Sequence, residues 1–210
     1  MVSISSTVRQ YIYRNPTIKD ALMMGIVNYS SLARKIMNEM KINNFEAVET
    51  ALKRIPKIEK DSVDIKKALK NSKIETITGV SYIVLKSSSE NIKKAASLLS
   101  SIVKDYNQYR IIQGIQGTVV VIDDHEFEKI VSNFQRGEII EKKRGLGEII
   151  ITSREDTTFI KGYVAYVSNV LAVNDINLLQ LVSFYTDITV IIDTKDMAKA
   201  FNVLMSEIEA

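Results

Sequence analysis

Two stretches of this chain, seventy residues apart, share one pattern, and no other feature limits its fold as much. TVVVIDDHEFEKIVSNF (118–134) and ITVIIDTKDMAKAFNVL (188–204) each run a β-branched segment into an aspartate, two polar residues and an amphipathic helix. Asp123 aligns with Asp193, and at the same offset of 70 Ile122 meets Ile192, Phe127 meets Met197 and Phe134 meets Leu204. A period this long marks a repeated domain-sized unit rather than a solenoid. Working backwards, the first copy predicts a strand at 80–86, then a helix with Ile92, Ala96, Leu99 and Val103 on one face. Strands at 109–113 and 119–122 and a helix from Asp124 follow. The second copy predicts a strand at 148–152, a helix over 162–172, strands at 177–183 and 188–192, and a helix over 195–207. Each copy therefore reads β-α-β-β-α. Residues 137–142 supply a closing strand for the first, completing βαββαβ, a sheet with helices on one face. The second copy has no evident last strand, so its edge is expected to be open or covered by something else. Gly145 and Gly147 fit a turn joining the copies.

The residues ahead of the repeat are helical. Val8, Tyr11 and Ile12 mark one helix, and after Pro16 an apolar stripe runs Ile18, Ala21, Leu22, Ile26, broken by Gly25. Asn28 or Ser30 can cap a helix with Leu32, Ile36 and Met40 inward. Asn44 can cap another with Val48, Ala51, Leu52 and Ile55 inward, and Pro56 ends the series. The segment 17–36 resembles a helix-turn-helix, with Ala21 where the first helix needs a small residue and Gly25 at the turn. Its second helix would offer Tyr29, Ser30, Ser31, Arg34 and Lys35 to a DNA groove and its phosphates. That spacing expects apolar side chains at 31 and 34, where Ser31 and Arg34 stand, and a plain helical bundle carries the same pattern. Charge is uneven: residues 1–73 hold 14 Lys/Arg against 7 Asp/Glu, and residues 74–210 hold 14 against 18. The basic third thus expects a different partner from the rest, with nucleic acid among the candidates and a lysine-rich solvated surface as the alternative.

Several classes are excluded or disfavoured. Without cysteine there are no disulfides and no thiolate metal sites. No apolar run approaches the ~20 residues of a membrane span, and the start lacks the apolar core of a secretory signal, so a cytoplasmic protein is expected. No P-loop, G-x-G-x-x-G, H-E-x-x-H or nucleophile elbow occurs, and no cofactor is expected. The single histidine, His125, lies among Asp123, Asp124 and Glu126, but an aspartate capping a helix explains that cluster better than a metal.

The stretch GYVAYVSNVLAVNDINLLQLVSFYTDITVIIDTKDMAKAFNVL (162–204) resembles an ACT domain, the small effector-binding module of amino-acid metabolism, and particularly the paired modules of aspartate kinases. Gly162 matches the glycine opening the family's first helix and Asn177 its asparagine before the second strand, while Lys161 stands where the family usually has proline. The resemblance implies regulation without the kinase domain, a non-catalytic chain, and an amino-acid-like effector bound at the loop between first strand and first helix. Backbone N–H groups at a helix start attract a carboxylate, which points to Gly162, with Arg154, Asp156, Thr157, Lys161 and Asn177 as further ligand contacts. The same loop read blandly is a polar connection.

The expected protein is α+β: a helical domain at 1–73, then two ferredoxin-like βαββαβ modules of the ACT kind at 74–143 and 144–210. It would be a homodimer that senses a small metabolite and passes that state to DNA or a protein partner. The alternatives are a scaffold or regulatory subunit with no ligand of its own, and, more remotely, an RNA binder using Tyr82, Tyr109 and Phe184 on its sheets.

Overall fold

A computed structural model describes residues 3–55, 61–102 and 109–209; Pro56 and Val103 lie outside the described residues. The chain forms two compact units, Met1–Lys60 and Asp61–Ala210. The first holds α1 (Ile4–Arg14), α2 (Pro16–Met23), α3 (Tyr29–Met40) and α4 (Phe45–Lys53). Its helix starts follow local chemistry. Asn28 accepts from the Ser31 N–H at 3.0 Å, Asn44 from the Ala47 N–H at 3.0 Å, and Pro16 opens α2. Val8, Ile12, Leu22, Leu32, Ile36, Val48 and Leu52 close one core. α4 is the centre of the packing, touching α1 and α3. Gly25 ends α2 at φ +73° as expected, but Ile26, placed inward by its spacing, is 71% exposed. The left-handed glycine turns the chain and carries the next residue off the stripe. Met40 is likewise exposed, since α3 ends there with Lys41 in the left-handed region.

The second unit begins earlier than the repeat does. Helix α5 (Asp61–Lys70), expected to close the helical domain, instead inserts Ile65, Ala68 and Leu69 into the core beneath the sheet. Then come β1 (Lys73–Lys86), α6 (Ser89–Ile102), β2 (Arg110–Gln113), β3 (Gly117–Asp123) and α7 (Phe127–Val131). The second copy follows as β4 (Ile139–Thr152), α8 (Tyr163–Ala172), β5 (Gln180–Phe184), β6 (Asp187–Asp193) and α9 (Met197–Glu209). The β-α-β-β-α order of both copies is therefore observed, but the copies share one six-stranded antiparallel sheet, ordered β2-β3-β1-β4-β6-β5. The closing strand of the first copy and the opening strand of the second are one strand, β4. Gly145 and Gly147 lie inside it, not in a turn.

β1 is just as long, and it supplies what the second copy lacked. Its later half, 80–86, pairs with β3 and with the early half of β4. Its early half, from Lys73 opposite Thr152 to Thr78 opposite Gly147, pairs with the late half of β4. Each half of the sheet thus contains four strands: β2-β3-β1-β4 in one, β5-β6-β4-β1 in the other. The two long strands irregularly cross between halves near Gly79 and Gly145, at φ +72° and +71°. The residues just after them, Val80 and Leu146, pair with the equivalent aspartates Asp123 and Asp193. Those aspartates turn the chain alike: Asp123 accepts from the His125 N–H at 2.8 Å and Asp193 from the Lys195 N–H at 3.2 Å.

Helices cover one face. α6 and α7 pack on Ile83, Leu85, Val120 and Ile122, while α5, α8 and α9 pack on Ile149, Ile151, Ile188, Val190 and Ile192. The opposite face is curled, so that β2 and β5 wall a single cleft, and Val80, Tyr82, Val121, Leu146 and Ile191 form a further apolar cluster there.

Candidate functional site

The loop from Ser153 to Gly162 joins β4 to α8, and its own side chains hold its shape. Ser153, 2% exposed, donates through its hydroxyl to the Ala68 carbonyl and accepts from the Glu155 N–H. Glu155 reaches Lys67 of α5 at 3.1 Å. Asp156 accepts from the Thr158 N–H at 2.9 Å, and those hydrogen bonds from Thr158 hold its carboxyl below the usual range. Thr157 is buried and donates to the Tyr185 carbonyl at 2.9 Å, tying the loop to the β5–β6 hairpin.

Gly162 then enters α8 at φ +81°, a conformation that L side chains rarely adopt, although a Cβ there would meet only Ile65, at an ordinary contact distance of 3.7 Å. No side chain caps α8. Its first intrahelical bond runs from the Tyr166 N–H to the Gly162 carbonyl at 2.8 Å, so the Val164 and Ala165 N–H groups precede the helical ladder. They face a pocket of about 390 Å³ whose far wall is Ser183, Phe184 and Tyr185. The arrangement offers a partial positive charge at the helix start, the Ser183 hydroxyl, and two aromatic rings. Phe184 is 52% and Tyr185 71% exposed, and Tyr185 is itself left-handed at φ +51°, an uncommon state for an aromatic residue. Such chemistry suits a small anion-bearing molecule with an apolar part.

Of the predicted ligand contacts the structure brings together Thr157 and Gly162. The Thr157 hydroxyl is spent on the hairpin rather than turned to a ligand. Asp156 serves the turn, and Arg154 and Lys161 are exposed beside the pocket lining, not in it. Asn177 is exposed in the connection after α8, beyond the helix's other end from Gly162, because β5 begins three residues later than its spacing suggested. The hairpin wall at 183–185 was missed. Its one signal was an aromatic pair, Phe184 and Tyr185, at a tight strand end.

The residues proposed for DNA lie on α3 as expected, with their charges partly engaged. Ser30 donates to Glu49 at 2.7 Å, Lys35 pairs with Glu39 at 2.8 Å, and the Arg34 guanidinium stacks over Phe45 at 5.8 Å. Tyr29 packs against the helical core and Ser31 is exposed. Glu39 also accepts from Tyr11, and its carboxyl is held low by the Lys35 and Tyr11 hydrogen bonds.

The family model of the ACT domain matches residues 148–206, the segment that contains the loop, α8, the hairpin and most of α9. Residues 148–206 are thus similar in sequence to an ACT domain. Among solved structures, 64% of this chain superposes on the allosteric aspartate kinase of Clostridium acetobutylicum with a TM-score of 0.54 at 15% identity. The regulatory subunit of aspartate kinase from Thermus thermophilus, in its ligand-free form, gives a TM-score of 0.52 at 15% identity over 64% of this chain. The overlap takes in 34% of the Clostridium enzyme but 95% of the regulatory subunit, so the likeness lies in the fold of the regulatory part. No curated protein matches the sequence. Among the described residues, no helix is long and apolar enough to cross a membrane.

Proposed function

We propose that this chain is a non-catalytic regulator that senses a small carboxylate-bearing metabolite, of the amino-acid kind, in the pocket at the start of α8. The observation that carries this reading is an uncapped helix start, opened by a left-handed glycine and facing a pocket of about 390 Å³ within the ACT domain. Structural similarity to aspartate kinase regulatory subunits supports a sensing role. On this reading the two halves of the sheet are two ferredoxin-like modules that exchange strands, and the cytoplasmic protein works as a homodimer whose exposed Phe159, Phe184 and Tyr185 are covered by effector or partner. The ligand would bias one of two arrangements through its different affinity for each.

The test is Ala165→Glu. A glutamate at the third helical position reaches back toward the Gly162 N–H and sets a carboxylate at the helix start, where it competes with that of a ligand. Calorimetry against the twenty amino acids should find one or a few that bind the wild type. The variant should fold with equal or higher stability and lose that binding. A variant that binds as tightly as the wild type removes the helix start from the site.

The basic helical unit is read as the output. Glu39 and Glu49 beside Lys35 and Ser30 set carboxylates on the face once assigned to phosphates, and this favours a protein partner over DNA. Binding to a mixed DNA library that weakens steeply with salt would restore the helix-turn-helix reading.

A further inference from the structure

The walls of the α8 pocket select among carboxylates. Ile160, Tyr163 and Val164 give it one apolar side, and Phe184 and Tyr185 stand opposite. Among the described residues, no acidic or basic side chain lines it. Arg154, Asp156 and Lys161 of the same loop are exposed to water, where an ion pair contributes little. Tyr185 is the unusual part of the wall. It is 71% exposed and sits at φ +51°, a sparsely populated state for an aromatic residue. The hairpin does not impose this conformation. The first copy puts Ile115 at the equivalent tip, seventy residues earlier, without it. The buried Thr157 hydroxyl donates to the Tyr185 carbonyl at 2.9 Å and fixes the tip. A strained backbone held at an exposed ring, on the rim of a pocket, points to a use for that ring.

Charge and shape then choose the ligand. A second charged group carried into the pocket would lose its water and find no partner; kept outside, it leaves both rings uncovered. The α-ammonium of an amino acid meets no carboxylate in the lining either, so it adds little to binding. An aromatic ring gains more, because offset or edge-on ring pairs add to the burial of apolar area. We infer that the effector is an aryl carboxylate, an inference that rests on the α8 pocket being the sensing site. Its uncharged ring lies against Phe184 and Tyr185, a short arm carries its carboxylate to the start of α8, and its amino group is dispensable. Tyr185 is the residue that sets this specificity. Aromatic amino acids and the matching 2-oxo acids share the chemistry.

Methyl-resolved NMR on the full chain follows Ile160 and Val164 in the pocket lining, with Ile112 and Ile191 on the open sheet face as controls. The probes are phenylalanine, phenylpyruvate and 3-phenylpropionate, then phenethylamine, which lacks the carboxylate, and leucine, lysine and aspartate, which lack the ring. The first three should shift Ile160 and Val164 in a saturable way and with similar affinity, and the phenylalanine and phenylpyruvate arms tell the two sources apart. Leucine should bind about tenfold more weakly, and lysine, aspartate and phenethylamine should not saturate. Tyr185→Gly removes the ring and suits the left-handed backbone, so it should unfold at the same or a higher temperature yet bind phenylalanine about tenfold more weakly. Leucine or lysine binding as tightly as phenylalanine overturns the inference and leaves a carboxylate sensor in place. So does 3-phenylpropionate binding far more weakly than phenylalanine, or Tyr185→Gly keeping wild-type affinity. Phenethylamine binding as tightly as 3-phenylpropionate, or no shift of Ile160 and Val164 with any probe or any of the twenty amino acids, overturns the inference and the sensing site together.

Discussion

Ile83→Ala should destabilise both halves of the sheet, although Ile83 sits in only one of the two cores. Ile83 is fully buried in the cluster under α6 and α7, opposite Val120 of β3 and Lys142 of β4. The substitution removes three carbons, worth about 0.8 kcal/mol each, and the cavity left behind raises the cost to roughly 3.5 kcal/mol. If the halves were separate domains, that loss would stay with β2 and β3. They share β1 and β4 along their whole length, so neither half can unfold and leave the other with four strands. Amide hydrogen exchange measures this directly. At 1.4 kcal/mol per decade, the slowest amides of β3 and of β6 should both exchange roughly 300-fold faster in the variant. Ile149→Ala, in the other core, should produce the mirror result. Acceleration in β3 with wild-type protection in β6 would refute the shared-sheet argument.

Three further outcomes are expected. Asn28→Ala removes the side chain that caps α3 at 3.0 Å and should cost the helical unit about 1 kcal/mol in thermal unfolding, with protection in β3 and β6 unchanged. Gly145→Ala meets no atom within 4 Å, so its whole cost is the left-handed backbone, about 1–2 kcal/mol by urea unfolding; a wild-type midpoint would show that φ +71° is not required there. Glu148→Gln should stabilise the protein at neutral pH. Burial raises the folded carboxyl above its ordinary 4.5, with Arg110 opposing, so the folded state holds its proton to higher pH than the unfolded state. The penalty is therefore complete above the folded pKa and vanishes as pH falls below 4.5, and the gain from glutamine should shrink over that window. A gain that grew on acidification would mean the Arg110 attraction outweighs burial.

What was legible in the sequence was what local chemistry decides. Asn28 and Asn44 cap helices because a short side-chain acceptor next to an apolar stripe has few other uses, and Gly25 and Gly162 occupy left-handed positions where the stripes break. Asp123 and Asp193 showed the repeat because each performs the same turn. What escaped depends on pairing. Residues 73–78, KIETIT, alternate weakly and give no strand ahead of residue 80, at the head of the first module, until β4 lies beside them. Gly145 and Gly147 looked like a turn because glycine at a strand crossing and glycine in a loop are the same letter. Gly147 is small for another reason: a Cβ there would come within 2.3 Å of the Met197 sulfur. The candidate site was half legible. Gly162 announced the helix start, Asn177, named from the family resemblance, is exposed in the connection after α8, and the hairpin wall at Ser183–Tyr185 is adjacent only in space.

The exchange of strands also means that the later copy, the one matched by the ACT-domain model, should not stand alone. Its contiguous part, 148–206, holds three strands and two helices. The fourth strand beside β4 is 73–78, which lies ahead of the entire first copy, and α5 just before it fills the core with Ile65, Ala68 and Leu69. A fragment cut at the apparent repeat boundary, 144–210, would expose the late edge of β4 and the underside of α9 where α5 packs. Such an edge is a template for association. Adding a peptide of residues 61–78 to that fragment should restore both surfaces, and the pair should then show the protection of β6 seen in the full chain. Failure of the peptide to protect β6, with the fragment already monomeric and folded, would mean that the second copy closes its own sheet and that the long β1 is an accessory rather than its missing strand.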